Sequence, residues 1–144
     1  MPRRPILMLA LLVILSGALR ATAQPSKPEL GTIVARIEAL APELWRMSDW
    51  MHDNPESGHQ ETKAVALLSE YLTKHGFTVE SGLGGFPTAF KASFKGNNGP
   101  PHLAFMVEYD ALRGKEGTAF HGCQHNMQGP AGIGAAIALA EHLQ

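Results

Sequence analysis

The stretch 108–126 holds the residues best suited to chemistry, because carboxylates, imidazoles and the only cysteine of the sequence lie close together there. Thiolate and imidazole are donors that zinc prefers, while nearby carboxylates bind a metal or orient its ligands. Cys123 and His125 are two residues apart, and in an extended segment such residues point to the same side. The stretch therefore predicts a metal site with Cys123 and His125 as ligands.

Two elements must position these residues. The continuous apolar run 103–107 is typical of a strand buried on both faces of a parallel or mixed sheet. Glu108 and Asp110 would then lie at its carboxyl end, where open α/β sheets bind ligands. A C-x-H pair alone more often indicates a buried cysteine beside a structural histidine. Its place between a strand end and the helix start predicted at Gly129-Pro130 favours a site.

The upstream half predicts two helices and two strands. Apolar residues at helical spacing indicate helices over 26–53 and about 57–75. Pro42 lies inside the first, so we expect a kink there, or a break at which Pro42 opens a second helix. A short strand follows at 77–80, and the alternation at 90–95 predicts a half-exposed strand near a sheet edge. This order indicates an α/β fold with helices covering both faces of the sheet.

Residues 1–23 predict a secretory signal peptide. Arg3 and Arg4 precede a short apolar run, and the residues at 21–23 match the small-residue pattern of signal peptidase cleavage. The run is too short to span a membrane, so we expect an exported chain, periplasmic or secreted, without a stable membrane anchor. Residues 24–144 are enough for one modest domain. A formal net charge of -1 gives no electrostatic case for a nucleic-acid partner.

Several motifs occur together in this chain. E-Y-D-A-L at 108–112 and H-G-C-x-H-N at 121–126 precede a helix rich in glycine and alanine. An H-x-N-P-E turn at 52–56, Glu61 and F-P-T-A-F at 86–90 accompany them. The combination resembles the zinc-dependent amidohydrolases and carboxypeptidases of the aminoacylase type, most closely the aminobenzoyl-glutamate hydrolase group. The resemblance implies that 24–144 is the N-terminal portion of a zinc-peptidase-like catalytic domain, α/β with a mixed sheet and helices on both faces.

By position, the resemblance implies that Cys123 and His125 are metal ligands and that Asp110 is a catalytic residue that supports the metal site. The same resemblance implies that Glu108, His121 and Asn126 are possible supporting residues of the metal site. Zinc is the expected metal, with manganese or cobalt as alternatives, and the complete enzyme is expected to hold two metals. The implied reaction is hydrolysis of the amide bond of N-acyl amino acids or small peptide-like substrates, with a metal-activated water and a glutamate that moves the proton.

Two departures from the family pattern bear on these expectations. Gln124 stands where the family has glycine. An extended backbone there would point Gln124 away from the metal, whereas a positive φ would distort the ligands. Family members also continue far beyond Gln144, and the further part carries the Glu-Glu pair with the general base, more metal ligands and an inserted dimerisation domain. We therefore expect a truncated chain that is inactive alone, and a homodimer only in the full-length form.

Two other hypotheses compete with the hydrolase. The first is a non-catalytic truncated remnant that binds a metal or a small acyl-amino-acid without turnover, and the absent general base favours it. The second is a thiol enzyme that uses Cys123 with His125 as its base. The second is weaker, since side chains two apart in an extended segment do not readily form the required hydrogen bond.

Overall fold

The computed structural model describes residues 27–96, 100 and 102–144. In that part of the chain the helices are α1 (Lys27–Asp53), α2 (Thr62–Lys74) and α3 (His125–His142), and the strands are β1 (Thr78–Ser81), β2 (Phe90–Ser93), β3 (Leu112–Arg113) and β4 (Ala119–Phe120). The predicted signal peptide at 1–23 lies outside the described residues. Among those residues, no helix combines the length and the apolar character needed to cross a membrane.

Helix α1 is continuous through Pro42, so the predicted break is wrong. Proline lacks an N–H and disrupts a helix interior by about 3 kcal/mol. Buried side chains lie on both sides of it, and each contributes about 1.5 to 3 kcal/mol when fully buried. These are Leu40, Leu44, Met47 and Met51. Their combined packing against the rest of the core exceeds the cost of one proline, so the helix persists.

Helix α2 begins five residues later than predicted, because the H-x-N-P-E turn caps it. The Glu56 carboxylate accepts the backbone N–H groups of Lys63 and Ala64, each at 2.9 Å. These are orphan donors of the first helical turn, and a carboxylate there also opposes the positive end of the helix dipole. The predicted apolar stripe faces the core, with Leu68 and Leu72 buried.

Helix α3 begins at His125, four residues before the predicted start at Gly129-Pro130, and Pro130 is buried inside it. The helix packs closely on α1, since a Cβ added at Gly134 would lie 2.5 Å from Leu44 Cδ1. A larger residue at this position would require the Leu44 side chain to move. Ile133 and Ile137 of α3 lie in one buried cluster with residues of α1 and α2.

An ion pair links α1 and α3 at the solvent-exposed edge of their contact. Arg36 on α1 donates to both carboxylate oxygens of Glu141 on α3, at 2.5 and 2.7 Å. The hydrogen bond from Arg36 lowers the pKa of Glu141. A lowered carboxyl pKa stabilises the fold above the unfolded-state pKa, and this stabilisation is lost as the pH falls through the folded-state value. Both side chains are about one-third exposed, so solvent keeps the contribution below about 1 kcal/mol.

The described strands form two separate two-stranded antiparallel sheets, β1 with β2 and β3 with β4, where one mixed sheet was predicted. In the first sheet Thr78 pairs with Ser93 and Ser81 with Phe90. Helices and strands together agree with a broad α/β class. The helices do not cover both faces of a single large sheet within the described residues.

The predicted buried strand at 103–107 is wrong for this structure. The segment has no regular secondary structure, and Leu103, Phe105 and Met106 are 65%, 48% and 94% exposed. A groove of about 850 Å³ lies between this segment, the first sheet and α3. An apolar run indicates side chains that prefer a sheet interior, but a strand is buried only where neighbouring strands pair with it. No strand among the described residues pairs with 103–107.

Candidate functional site

The loop 108–111 is held against the start of α3 and the turn before α2. The Ala111 N–H donates to the Glu56 carbonyl at 2.7 Å, and Ala111 itself is buried. The Glu108 N–H donates to the Gln128 side-chain oxygen one turn into α3. Loop and helix start are therefore fixed relative to each other, with the predicted site residues between them.

The imidazole of His125 lies between two carboxylates. Its Nδ1 is 2.8 Å from Asp110 Oδ1, and its Nε2 is 3.3 Å from Glu108 Oε2. The His125 side chain is 16% exposed, whereas that of Glu108 is mostly exposed. A carboxylate on one ring nitrogen is the usual means of orienting a histidine that binds a metal through the other. Asp110 thus orients the ring, and Nε2 is the nitrogen that a metal would use.

The donor types suit zinc, although the ligand set in the described residues is partial. Cys123 is a free, exposed cysteine, accessible to a metal from solvent. Over 27–96 and 102–144, no group of three or more His, Cys, Asp or Glu side chains is arranged to hold a metal ion. Structural zinc generally takes four ligands. The described residues therefore supply an oriented imidazole and an accessible thiol, and metal binding by this pair stays a prediction.

Of the two backbone geometries considered for Gln124, the structure has the positive φ and not the extended one. Gln124, between Cys123 and His125, has φ 65° and ψ 24°, which is left-handed, and His125 is the first residue of α3. The Gln124 carbonyl accepts the Met127 N–H at 2.9 Å, so this residue forms the corner from which the helix starts. A left-handed conformation costs a non-glycine residue about 1 to 2 kcal/mol. Glycine therefore fits this position best. For metal binding, the positive φ is the less favourable of the two possibilities considered for Gln124.

We expect Gln124→Gly to raise the free energy of unfolding by about 0.5 to 1 kcal/mol and to tighten zinc binding. Glycine removes the left-handed strain, and its greater unfolded-chain entropy offsets part of the gain. Urea unfolding and zinc titration of the same samples would measure both effects. Glu116→Gly is the matched control, because Glu116 is exposed at φ 55°. It should gain similar stability with unchanged zinc affinity. A Gln124→Gly protein no more stable than the parent would contradict the strain argument.

Two other predicted supporting residues lie on the α1 side of the site. Asn126 is buried, and its side-chain amide donates to the Ser48 carbonyl at 3.3 Å and to the Ser48 hydroxyl at 3.2 Å. This amide therefore ties α3 to α1. His121 has a buried Nδ1 without a hydrogen-bond partner among the described residues. Burial lowers the pKa of His121, the positive charge of His52 lowers it further, and a hydrogen bond with the Met51 backbone opposes both. Direct roles for Asn126 and His121 at a metal stay predictions.

Glu61 is a residue to which the sequence assigned no chemical role. It is buried beside the loop that carries Asp110, and one of its carboxylate oxygens has no partner among the described residues. The sequence motifs included Glu61 but did not indicate what its side chain does. Whether a carboxylate finds a partner depends on tertiary contacts, so no local signal marks this feature.

Comparison with known proteins bears on the family resemblance. No family model matches the chain. It is 36% identical over 121 residues to a subunit of p-aminobenzoyl-glutamate hydrolase from Escherichia coli strain K12, covering 75% of this chain and 25% of that protein. It is 28% identical over 123 residues to Thermostable carboxypeptidase 2 of Saccharolobus solfataricus, covering 74% of this chain and 31% of that protein.

A third relative is a probable hydrolase of a Synechocystis species, 27% identical over 114 residues, with 72% of this chain and 29% of that protein covered. The chain thus spans between a quarter and a third of the length of these relatives. The alignments extend well beyond the few motif residues on which the resemblance rests. Over about three quarters of its length, the chain is a homologue of hydrolases and carboxypeptidases, which confirms the amidohydrolase and peptidase resemblance of its motifs.

Proposed function

We propose that the protein is a metal-dependent hydrolase of amide bonds, acting on N-acyl amino acids or small peptide-like substrates. The observation that carries the proposal is the imidazole of His125 held between Asp110 and Glu108. Two homologues, named as a p-aminobenzoyl-glutamate hydrolase subunit and a carboxypeptidase, support a hydrolase of amide bonds. Residues 24–144 would form the N-terminal portion of a zinc-peptidase-like catalytic domain.

In this proposal Cys123 and His125 hold the metal, with zinc expected before manganese or cobalt and two metals expected in the complete enzyme. A bound metal of this kind polarises an amide carbonyl and makes a water molecule more acidic. Asp110 accepts the Nδ1 proton of His125 and fixes the ring, so it acts by orienting a ligand. Glu108 lies on the opposite ring nitrogen with its side chain largely exposed, where it can accept a proton or bind a metal.

Space for a substrate is present beside these groups. A pocket of about 280 Å³ is lined by both Glu108 and Asp110. We also propose that the protein is exported to the periplasm or the exterior. A further part of the proposal is that the full-length form is a homodimer. The Escherichia coli relative is named as a subunit. An alternative form of the proposal is therefore that the full-length protein assembles with other chains.

A zinc titration of the chain by calorimetry tests the proposal. We expect weak binding that weakens further from about pH 8 to about pH 6, because protons compete for thiolate and imidazole. Asp110→Asn should lower the affinity about tenfold, since removing an orienting carboxylate typically costs 10 to 100-fold. Asp49→Asn, at an exposed position on α1, is the control and should leave binding unchanged. Zinc binding that is absent, or indifferent to pH and to Asp110→Asn, would overturn the metal site.

The remnant hypothesis makes a different prediction for the same chain. A non-catalytic protein would bind zinc or an acyl-amino-acid and would still lack turnover when joined to the remaining length found in its homologues. Hydrolysis by such a full-length form favours the enzyme.

A further inference from the structure

The loop 108–111 presents two carboxylates to one imidazole. Glu108 Oε2 lies 3.3 Å from Nε2 of His125, and Asp110 Oδ1 lies 2.8 Å from Nδ1 of the same ring. Both distances depend on the direction in which the loop backbone points its side chains, and a binding geometry must be held to within about 0.5 Å to be productive. Tyr109 is the residue between the two carboxylates in the sequence, so a shift of its backbone moves both of them.

The side chain of Tyr109 connects this loop to another part of the fold. Its hydroxyl donates to the backbone carbonyl of Thr88, a buried residue in the segment before β2. Its ring lies against that of Phe90 on β2, with centroids 5.7 Å apart and planes at 31°. At its other end, Cβ of Tyr109 would lie 3.7 Å from a Cβ added at Gly129, so the base of the side chain packs on α3. Tyr109 therefore spans from α3 to the segment before β2.

The hydroxyl of Tyr109 keeps its proton for this hydrogen bond. Burial raises the pKa of Tyr109 to about 12, and the negative charges of Glu61 and Asp110 contribute to the rise. A phenol with this pKa is neutral at physiological pH and can donate. The carbonyl of Thr88 belongs to a residue that is only 6% exposed, and a buried acceptor that loses its donor is costly. The hydrogen bond is therefore a lasting link between loop and sheet.

Two backbone hydrogen bonds hold the ends of the loop. The Glu108 N–H donates to the side-chain oxygen of Gln128 on α3, and the Ala111 N–H donates to the Glu56 carbonyl at 2.7 Å. These bonds act at residues 108 and 111. Tyr109 supplies a third attachment between them, next to Asp110.

We propose that Tyr109 is a positioning residue, whose hydrogen bond to the Thr88 carbonyl keeps Glu108 and Asp110 in register with the imidazole of His125. It acts through the loop backbone and not by contact with a metal or a substrate. The inference rests on the proposed function only where zinc affinity is concerned, because the contacts of the imidazole are present in the metal-free chain.

Tyr109→Phe tests this role, since it removes the hydroxyl and keeps the ring against Phe90. In the metal-free chain, we expect the His125 Nδ1 proton that donates to Asp110 to exchange with water about fivefold faster, as measured by NMR. The loss of one hydrogen bond favours local opening of the loop by about this factor. Zinc affinity measured by calorimetry should fall about fivefold for the same reason. Circular dichroism would verify that the variant is folded.

Tyr71→Phe is the matched control, because it makes the same chemical change on α2, where the ring lies against His75. It should leave both the exchange rate of the His125 proton and the zinc affinity unchanged, whatever it does to global stability. A general loss of stability is thereby separated from a loss of positioning. An unchanged exchange rate in a folded Tyr109→Phe protein, or equal changes in the two variants, overturns the proposal.

A second measurement on the unaltered chain does not depend on the folding of any variant. The hydroxyl proton of Tyr109 should be protected from exchange with water, because it is held by the Thr88 carbonyl. Free exchange of this proton overturns the proposal. Absence of zinc binding from the unaltered chain would refute the proposed metal site, and the exchange rates in the metal-free chain would still decide the role of Tyr109.

Discussion

Replacing Ile137 with alanine is expected to lower the free energy of unfolding by about 3 to 4 kcal/mol. Ile137 on α3 is 0% exposed and belongs to the cluster in which α1, α2 and α3 meet. Truncation removes buried methyl groups and leaves a cavity that three packed helices cannot readily close. The loss is a large share of the roughly 5 to 15 kcal/mol by which small domains are stable. Urea unfolding followed by circular dichroism would measure it.

Ile37→Ala is the matched control for this prediction. Ile37 is also an isoleucine in a helix, but it is 36% exposed on α1. Its truncation should cost about 1 kcal/mol or less, because much of its surface already faces water. Similar losses in the two variants would show that the helices do not share the core described here.

Replacing Cys123 or His125 with alanine is expected to weaken zinc binding by more than about 100-fold. Each change removes one of the two proposed ligands. The unfolding free energy of the metal-free Cys123→Ala protein should change by less than about 1 kcal/mol, since Cys123 is exposed. The metal-free His125→Ala protein should lose about 1 to 2 kcal/mol, because the change removes the hydrogen bond with Asp110 from a side chain that is only 16% exposed. Calorimetric zinc titration and urea unfolding together separate a ligand from a packing residue.

His142→Ala is the control for the histidine change, because His142 lies exposed at the opposite end of the same helix. It should alter neither zinc affinity nor stability. Full zinc occupancy in both ligand variants would refute the metal site. A stability loss in the metal-free protein as large as that of Ile137→Ala would show that these side chains serve packing instead.

The helical half of the fold was predictable because its signal is local. Leu40, Leu44, Met47 and Met51 recur at helical spacing and are all buried on one side of α1. The segment 103–107 carried an equally strong apolar signal and failed. Hydrophobic side chains indicate that a segment prefers to be buried. Burial as a strand also requires neighbouring strands from distant parts of the sequence, and the segment itself does not reveal them.

The proximity of the candidate site residues was predictable, and the backbone geometry between them was less so. Motif reasoning named Asp110 and His125, and the structure brings them within 2.8 Å. It left an extended backbone and a positive φ open at Gln124, and the fold uses that residue as a left-handed corner at the start of α3. A backbone choice of this kind depends on where the following helix must begin, which the spacing of Cys123 and His125 alone does not specify.

The exposed segment 103–107 also governs how the protein behaves in concentrated solution. Apolar side chains that face water in one continuous segment favour contact between copies of a chain. Met106 is almost fully exposed, and the groove beside it is lined by aromatic and aliphatic side chains. We therefore expect copies of the chain to associate through this segment at high concentration. Association between copies, more than unfolding of the helical core, would then limit the concentration at which the chain remains monodisperse.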